Sequence, residues 1–202
     1  MSDAPYVFVV DDDPSVRSGV WRLLVSDGLR VATFGSAREF LDDPRAAQPG
    51  CILIDLRMPG TSGLQLQAEL KRRGLEQPVI FLTGHGDVTA SVQAMKAGAM
   101  DFLQKPAPPD VLISAVRAAL ARERDTRERR ARAATARSHV DTLSTRERQV
   151  CELIVRGLLN KQVADALGIT LKTVKVHRGR VMHKMHARSL AELVRTWQHL
   201  ER

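Results

Sequence analysis

Carboxylates follow two apolar segments of this 202-residue chain at the points where those segments end. Asp11, Asp12 and Asp13 come directly after one such segment, and Asp55 comes directly after another. If both segments are parallel strands of one sheet, their carboxyl ends meet and the carboxylates converge. Two carboxylates about 4 Å apart repel by about 1 to 4 kcal/mol, so the cluster requires a cation. Mg²⁺ suits such hard oxygen ligands.

Asp13 has a simpler explanation than metal binding. It precedes Pro14, and an aspartate before a proline often caps the first turn of a helix. We therefore expect Asp13 to begin a helix, whereas Asp12 and Asp55 are predicted to belong to the acidic site.

Two further side chains at predicted strand ends complete a reactive set. Thr83 supplies a hydroxyl, and Lys105 supplies an ammonium group directly before Pro106. Taken singly, such a threonine is more often a helix cap and such a lysine a surface residue. Together with the carboxylates they suit phosphoryl transfer to Asp55, with Mg²⁺ and Lys105 neutralising the phosphoryl oxygens.

Alternating β-rich and helical segments over residues 1–120 provide the frame for this site. Five β-rich segments are separated by helical patterns, which favours a doubly wound α/β domain with a parallel sheet covered on both faces. The predicted strands are Tyr6–Val10, Arg30–Phe34, Cys51–Ile54, Val79–Leu82 and Asp101–Leu103.

Residues 141–202 show only helical patterns with clear start and stop signals. These signals predict four short helices in a separate all-α domain, of which the middle two form a helix-turn-helix around Gly168. The predicted caps are Ser144, Asn160, Thr170 and Ser189, and Gly157 and Gly168 are predicted to end helices.

Residues 121–140 are predicted to link the two domains. The stretch 122–132 is densely charged and contains no Gly or Pro. It favours a helical, semi-rigid spacer supported by pairs such as Glu128 with Arg132, but a frayed, disordered linker fits the same composition.

The charge of the chain is unevenly distributed. Residues 1–120 carry 12 Lys and Arg against 14 Asp and Glu, whereas residues 121–202 carry 19 against 9, a net charge of +10. This asymmetry indicates an anionic partner, and nucleic acid is favoured because the basic part contains a helix-turn-helix. A solvated basic linker would explain part of the excess.

Other features bear on location and redox state. No apolar run approaches the ~20 residues that span a bilayer, and the N-terminus lacks a secretion signal, so we expect a cytoplasmic protein that does not associate with membranes. Cys51 and Cys151 lie a hundred residues apart and are expected to be reduced core residues.

The third C-terminal helix carries a basic face. Lys172, Lys175, Val176 and Gly179 share one side by helical spacing, opposite the predicted core. In a major groove, lysine can donate to guanine, valine can touch a thymine methyl group and glycine allows close approach. A lone basic helix is more often only solvated; the adjoining turn and caps favour DNA binding.

Four motifs of the first 120 residues resemble the receiver domain of response regulators. They are Val9-Val-Asp-Asp12, Asp55-Leu-Arg-Met-Pro-Gly60, Leu82-Thr-Gly84 and Lys105-Pro106. The resemblance covers residues 5–120 and implies a sheet of order 2-1-3-4-5, a cis peptide before Pro106 and a sensor histidine kinase as phosphoryl donor. It also implies Mg²⁺ held by Asp12, Asp55 and the main-chain carbonyl of Arg57, with Asp11 acting through water.

The same resemblance assigns further roles. Thr83 would bond the phosphoryl group and Phe102 would swing inward as the switch aromatic. Independently of the resemblance, Arg57 and His85 lie two residues after Asp55 and Thr83, where a side chain can shield or orient a hydrolytic water. We expect them to tune the lifetime of the aspartyl phosphate; the alternative is that both only face solvent. Ala107 stands where many receivers carry Phe, which predicts a smaller core contact there.

Residues 140–200 resemble the LuxR-type (FixJ/NarL) four-helix domain through Thr145-Arg-Glu-Arg148, Asn160-Lys161, Leu167-Gly-Ile-Thr170 and Thr173-Val-Lys175. This resemblance implies that Lys161 contacts a phosphate and that Lys175 and Val176 read bases. Together the two domains look like a FixJ-like regulator. The predicted DNA-binding residues are Lys161, Lys172, Thr173, Lys175, Val176, His177, Arg178, Gly179 and Arg180.

The predicted function is a phosphorylation-controlled transcriptional regulator that is not a turnover enzyme but can lose its phosphoryl group by itself. Phosphorylation of Asp55 is expected to promote a homodimer and binding to double-stranded promoter DNA, with activation through RNA polymerase. The candidate dimer residues are Val88, Val92, Met95 and Lys96.

Two alternatives remain at this point. The chain could bind DNA independently of phosphorylation and use its receiver only for dimerisation. A Mg²⁺-dependent phosphatase is the enzyme alternative, but it would need an aspartyl D-x-D motif followed by Gly-Thr after the first strand, and Asp11-Asp-Asp-Pro-Ser15 lacks the Gly-Thr.

Overall fold

The computed structural model of the chain describes residues 4–84 and 88–200. The chain forms two compact units that divide between Asp125 and Thr126. The first contains a five-stranded sheet, and the second is helical throughout its regular elements. Within the described residues, no helix combines the length and the apolar character needed to cross a membrane.

The first unit alternates strands and helices as the sequence predicts. Its strands are β1 Tyr6–Val10, β2 Arg30–Phe34, β3 Gly50–Asp55, β4 Val79–Thr83 and β5 Asp101–Gln104. Its helices are α1 Pro14–Ser26, α2 Ala37–Asp42, α3 Gly63–Arg72, α4 Val88–Lys96 and the beginning of α5 Pro109–Asp141, with a short 3-10 helix at Pro44–Ala47. Every strand pair is parallel, and the order β2-β1-β3-β4-β5 confirms the prediction.

Two cores cover the two faces of the sheet. Successive strand residues point to opposite faces, so Phe8 packs with Phe40 and Phe81 on one side, while Val7 and Val116 belong to the core on the other. Strands β1, β3 and β4 are buried along their whole length because helices lie on both faces. This burial holds the carboxyl ends of the strands in fixed positions.

Side chains cap the helices that flank the acidic site. The carboxylate of Asp13 accepts from the backbone N–H groups of Ser15 and Val16, at 2.8 Å and 3.4 Å, and begins α1 as predicted. Ser62 begins α3 through a capping box with Gln65. Both helices therefore start at defined points directly after β1 and after the loop that follows β3.

The segment predicted to be a linker is helical in the structure. Helix α5 runs without interruption for 33 residues, from Pro109 to Asp141, and contains the charged stretch. The predicted pair forms, with Arg132 Nη2 at 3.2 Å from Glu128 Oε2. The helical alternative is therefore the one that the structure shows.

The second unit packs four further helices on the end of α5: α6 Thr145–Val155, α7 Asn160–Leu167, α8 Leu171–Lys184 and α9 Leu190–Gln198. Ser144, Thr170 and Ser189 cap helices as predicted, and Gly168 ends α7 with φ +63°. This left-handed conformation favours glycine and makes the turn between α7 and α8.

The prediction that Asn160 caps α7 is wrong. Leu159 occupies the cap position, and the side chain of Gln162 accepts from the Leu159 N–H at 2.8 Å. Asn160 lies inside the first turn, where its Oδ1 accepts from Arg178 Nη1 of α8 at 2.8 Å. A tertiary hydrogen bond thus replaces the local cap that the sequence pattern favoured.

A buried ion pair holds the ends of α6 and α8 together. Glu147 is only 3% exposed and its Oε2 lies 2.7 Å from Lys184 Nζ, while the same oxygen accepts from the Ser144 N–H at 2.9 Å. The hydrogen bond from Lys184, followed by those from Ser144, lowers the pKa of Glu147 to about 2. Lys184 also donates to the Thr142 carbonyl, at 2.9 Å.

Glu147→Gln is expected to destabilise the helical unit in a pH-dependent way. Because the folded pKa of Glu147 is depressed to about 2, the carboxylate contributes stability above its unfolded pKa and loses this contribution as pH falls toward 2. Because Lys184 is partly exposed, solvent screens part of the ion pair. We therefore expect Glu147→Gln to lower the free energy of unfolding by about 1 to 2 kcal/mol at pH 7, and this difference should shrink toward zero below about pH 3. Denaturant unfolding followed by Trp197 fluorescence in a Trp21→Phe background measures it.

The matched control is Glu128→Gln, which removes a carboxylate that is 52% exposed and pairs with an exposed arginine. We expect this variant to change the free energy of unfolding little at any pH. A difference between Glu147→Gln and the unsubstituted chain that is the same at pH 7 and pH 3 would contradict the ionic role of Glu147.

Candidate functional site

Four strand ends bring the predicted reactive residues to one edge of the sheet. Asp11 follows β1 and Asp55 ends β3, whose registers pair Val10 with Ile54. Thr83 ends β4 and pairs with Gln104 of β5, directly before Lys105. The parallel order of the strands places all four residues at the carboxyl edge.

The ammonium group of Lys105 bridges two buried carboxylates. Its Nζ lies 2.5 Å from Asp11 Oδ2 and 2.6 Å from Asp55 Oδ1. Asp11 is 1% exposed and Asp55 is 6% exposed, so neither charge is balanced by bulk water. One cation therefore holds together two acidic residues that lie far apart in the sequence.

The loop after β3 supports the Asp55 carboxylate. The Arg57 N–H donates to Asp55 Oδ2 at 2.8 Å. Gly63 begins α3 so close to β3 that a Cβ there would collide with the Asp55 carbonyl oxygen and lie 2.9 Å from the Phe81 ring. Asp55 is thus positioned by the Arg57 N–H and by α3, whose first residue, Gly63, can lie close to Asp55 because it has no side chain.

Burial and charge act in opposite directions on the bridged groups. For Asp55, burial raises the pKa and outweighs the lowering effect of the Lys105 hydrogen bond, so the net pKa is above its ordinary value. For Lys105, burial works to lower the pKa, but the hydrogen bonds to Asp11 and Asp55 raise it, and the net direction is upward. Lys105 is accordingly a permanent cation in this site.

Asp11 is also fixed from its own loop. Its Oδ1 accepts from the Asp13 N–H at 3.0 Å, and its main-chain oxygen accepts from Arg17 Nη1 of α1 at 2.6 Å. Asp12, by contrast, is exposed. The structure therefore brings Asp11, rather than Asp12, into direct contact with Lys105.

Thr83, Phe102 and Ala107 lie where the sequence places them. Thr83 is buried at the end of β4, and its carbonyl accepts from the Lys105 N–H at 2.7 Å. Phe102 is half-buried, with its ring centroid 6.3 Å from that of Phe81. Ala107 lines an open apolar cavity of about 370 Å³ beside α1, consistent with the smaller contact expected there.

The peptide between Lys105 and Pro106 is cis, which confirms the expectation from the receiver motifs. His85 lies outside the described residues. Arg57 is exposed, and its role beside the phosphoacceptor remains a prediction.

The predicted DNA face of α8 is open to solvent. Lys172, Lys175, Val176 and Gly179 are all exposed, while Val174 on the other side is fully buried. Val176, an apolar side chain, is 48% exposed. The remaining exposed members of the predicted set are Lys161 and Arg180.

Three members of that set are partly buried. The Thr173 N–H donates to Thr170 Oγ1 at 3.1 Å in the α8 cap, and Arg178 is bonded to Asn160. His177 is half-buried, and its Nδ1 has no hydrogen-bond partner among the residues the structure describes. Thr173 therefore belongs to the α8 cap, and Arg178 joins α8 to α7.

Comparisons with known proteins agree with both units. A family model described as "Response regulator receiver domain" matches residues 7–117, and one described as "Bacterial regulatory proteins, luxR family" matches residues 141–197. The chain is a response regulator with a LuxR-type DNA-binding domain. The predicted phosphorylation-controlled, DNA-binding regulator is thereby confirmed, and the family is one of regulators rather than turnover enzymes.

Similar proteins match this response regulator over nearly its full length. "Nodulation protein W" of Bradyrhizobium diazoefficiens is 50% identical over 189 residues, covering 94% of this chain and 83% of that protein. "Transcriptional regulatory protein FixJ" of Azorhizobium caulinodans is 48% identical over 195 residues, covering 96% and 92%. The solved structure of response regulator StyR has 45% identity and a TM-score of 0.84, covering 96% of this chain and 98% of StyR.

The response regulator's acidic pocket fits a small, hard cation. Among the described residues, no group of three or more His, Cys, Asp or Glu side chains forms a metal cluster. Mg²⁺ does not require one, because it commonly binds through one or two carboxylates, substrate oxygens and water. The buried carboxylates of Asp11 and Asp55, which already share one cation, meet that requirement.

The candidate dimer helix of this response regulator presents an apolar surface. On α4, Val92 is 46% exposed and Met95 is 48% exposed, beside the exposed Lys96, whereas Ala94 is fully buried in the core. The side chain of Val88 lies outside the described part of the chain. Val92 and Met95 lie one helical turn apart, so α4 exposes an apolar pair on one side.

Proposed function

We propose that a sensor histidine kinase phosphorylates Asp55 and that this drives homodimerisation and binding to promoter DNA. The observation that carries the proposal is the Lys105 ammonium group bridging buried Asp11 and Asp55 at the carboxyl edge of the sheet. This arrangement is preorganised for a transferred group that carries negative charge. The protein is also proposed to activate transcription through RNA polymerase. Its proposed location is the cytoplasm, together with its DNA.

In the proposed transfer, a carboxylate oxygen of Asp55 forms the new bond to phosphorus as the bond from phosphorus to the donor histidine nitrogen breaks. Lys105 neutralises the phosphoryl oxygens, and the Arg57 N–H holds the other Asp55 oxygen. Asp11, Asp12, Asp55 and the Arg57 carbonyl would hold Mg²⁺, which supplies further positive charge when bound. Hydrolysis of the aspartyl phosphate by water returns the resting state, with Arg57 and His85 proposed to set its rate.

The proposed switch links this pocket to α4. Thr83 bonds the phosphoryl group with its hydroxyl, and Phe102, packed near Phe81, follows by changing rotamer. The two residues lie on β4 and β5, which flank α4 in the sequence. A movement of Thr83 and Phe102 can therefore alter the face of α4 that exposes Val92 and Met95.

Two DNA-binding units brought together would read two half-sites, and twofold symmetry favours an inverted repeat. Lys175 and Val176 are proposed to contact bases, with Lys172 and Gly179 on the same face. Lys161, Thr173, His177, Arg178 and Arg180 are proposed to contact phosphates or the groove edges.

The test adds beryllofluoride and Mg²⁺ to the full chain as a stable phosphoryl mimic. We expect the chain to shift from monomer to dimer in sedimentation and to gain affinity for a selected operator by about tenfold, a coupling of ordinary size. Met95→Glu should block the dimer, while Lys175→Ala should keep the dimer and lose operator affinity. An unchanged sedimentation coefficient would contradict the dimer mechanism.

A further inference from the structure

Two histidine rings lie against each other where two helices of the second unit end. His139 is in the last turn of α5, and His186 lies two residues after Lys184, the last residue of α8. Their ring centroids are 4.7 Å apart and their planes are tilted by 48°. Neither ring belongs to the phosphorylation pocket or to the predicted DNA face.

The surroundings of this histidine pair favour a cation. The carboxyl ends of α5 and α8 meet here, since Lys184 Nζ at the end of α8 donates to the Thr142 carbonyl just beyond α5 at 2.9 Å. Helix carboxyl ends carry partial negative charge, which attracts cations. The ammonium of Lys184 is itself balanced by Glu147, 2.7 Å away.

A buried imidazole nitrogen in this pair lacks a partner. Nδ1 of His139 is buried, and no residue of the described chain forms a hydrogen bond with it. Leaving such a nitrogen unpaired destabilises the folded state, and a metal ion would satisfy it. His186 has φ +51°, an uncommon conformation for a residue with a side chain, and its ring lies against that of His139.

The ring separation matches shared coordination. With a Zn–N bond of about 2.0 Å and a tetrahedral angle, two imidazoles on one zinc ion have centroids about 5 Å apart. The observed 4.7 Å is close to that separation, so the two rings are near enough for one ion to reach a nitrogen of each.

We propose that His139 and His186 form a two-histidine site for a divalent ion of the zinc class, with water completing the coordination. Among the described residues no third His, Cys, Asp or Glu completes a cluster, so the site is weaker than a structural zinc site with four protein ligands. The bound ion ties the end of α5 to the end of α8 and stabilises the folded helical unit. This role is independent of phosphorylation at Asp55.

The test titrates ZnCl₂ into the full chain in excess Mg²⁺, which competes for the carboxylates of the first unit. Calorimetry should show one saturable site, and thermal unfolding followed by Trp197 fluorescence in a Trp21→Phe background should shift upward by a few degrees. His139→Gln and His186→Gln should each lose the saturable binding and the shift. His183→Gln, which changes an exposed histidine of α8, should keep both.

Three results would overturn the proposal: no saturable zinc binding, binding that survives in both the His139→Gln and His186→Gln variants, or equal loss in His183→Gln. The first would mean that the rings only stack on each other. Because calorimetry is run below the unfolding transition, a variant with reduced stability still reports directly on binding.

Discussion

Asp55→Asn is expected to abolish phosphoryl labelling of the response regulator and the DNA affinity gained from it, while leaving the fold intact. An amide has the shape of the carboxylate but does not form the acyl phosphate. Its oxygen can still accept from the Arg57 N–H, and Lys105 keeps Asp11 as an ion-pair partner. Because burial raises the pKa of Asp55, removing this charge should not destabilise the domain.

Labelling with a radioactive small-molecule phosphoryl donor, followed by operator binding, measures both effects. In the unsubstituted chain the donor should raise DNA affinity by on the order of tenfold, and in Asp55→Asn this gain should vanish while basal affinity stays within about twofold. Asp42→Asn is the matched control, because Asp42 is an exposed carboxylate outside the pocket. Equal operator affinity of the unsubstituted chain and Asp55→Asn, with and without the donor, would favour the alternative in which the receiver only dimerises.

The sheet and its reactive edge could be predicted because short stretches of sequence define each strand and the point where it ends. Apolar β-rich runs define the strands to within one residue at each end, and charged residues directly after such runs mark strand ends. Parallel topology then brings Asp11, Asp55, Thr83 and Lys105 together without further information.

The contacts that tune this edge could not be predicted in the same way. The bridge from Lys105 to both carboxylates depends on which rotamers meet across three strands. The bond from Arg17 to the Asp11 main chain and the close approach of Gly63 to Asp55 are likewise set by packing. The sequence shows that a glycine follows Ser62, but it does not show that this glycine packs against Asp55.

The second unit shows the same division between local and tertiary signals. Capping patterns located Ser144, Thr170 and Ser189 because each cap acts on its own helix. The pattern failed at Asn160, where Arg178 of α8 supplies a competing donor. Patterns within one helix contain no information about donors from another.

Lys105→Met is expected to destabilise the first unit and to disable signalling. Methionine keeps an apolar stem of similar length but removes the cation that contacts both Asp11 and Asp55. Breaking a buried ion pair leaves uncompensated charge, so without Mg²⁺ the free energy of unfolding should fall by about 2 to 3 kcal/mol. The phosphoryl-dependent gain in DNA affinity should disappear, because Lys105 no longer balances the phosphoryl oxygens.

Mg²⁺ provides the decisive comparison for Lys105→Met. If the two carboxylates bind the ion as proposed, added Mg²⁺ should stabilise the variant more than the unsubstituted chain, since the ion then relieves their repulsion without a competing ammonium group. Denaturant unfolding with EDTA and with Mg²⁺, followed by Trp21 fluorescence in a Trp197→Phe background, measures this difference. Lys71→Met, an exposed lysine at the end of α3, should respond like the unsubstituted chain. Equal stability of Lys105→Met and the unsubstituted chain in EDTA would show that the Lys105 bridge does not hold the acidic edge together.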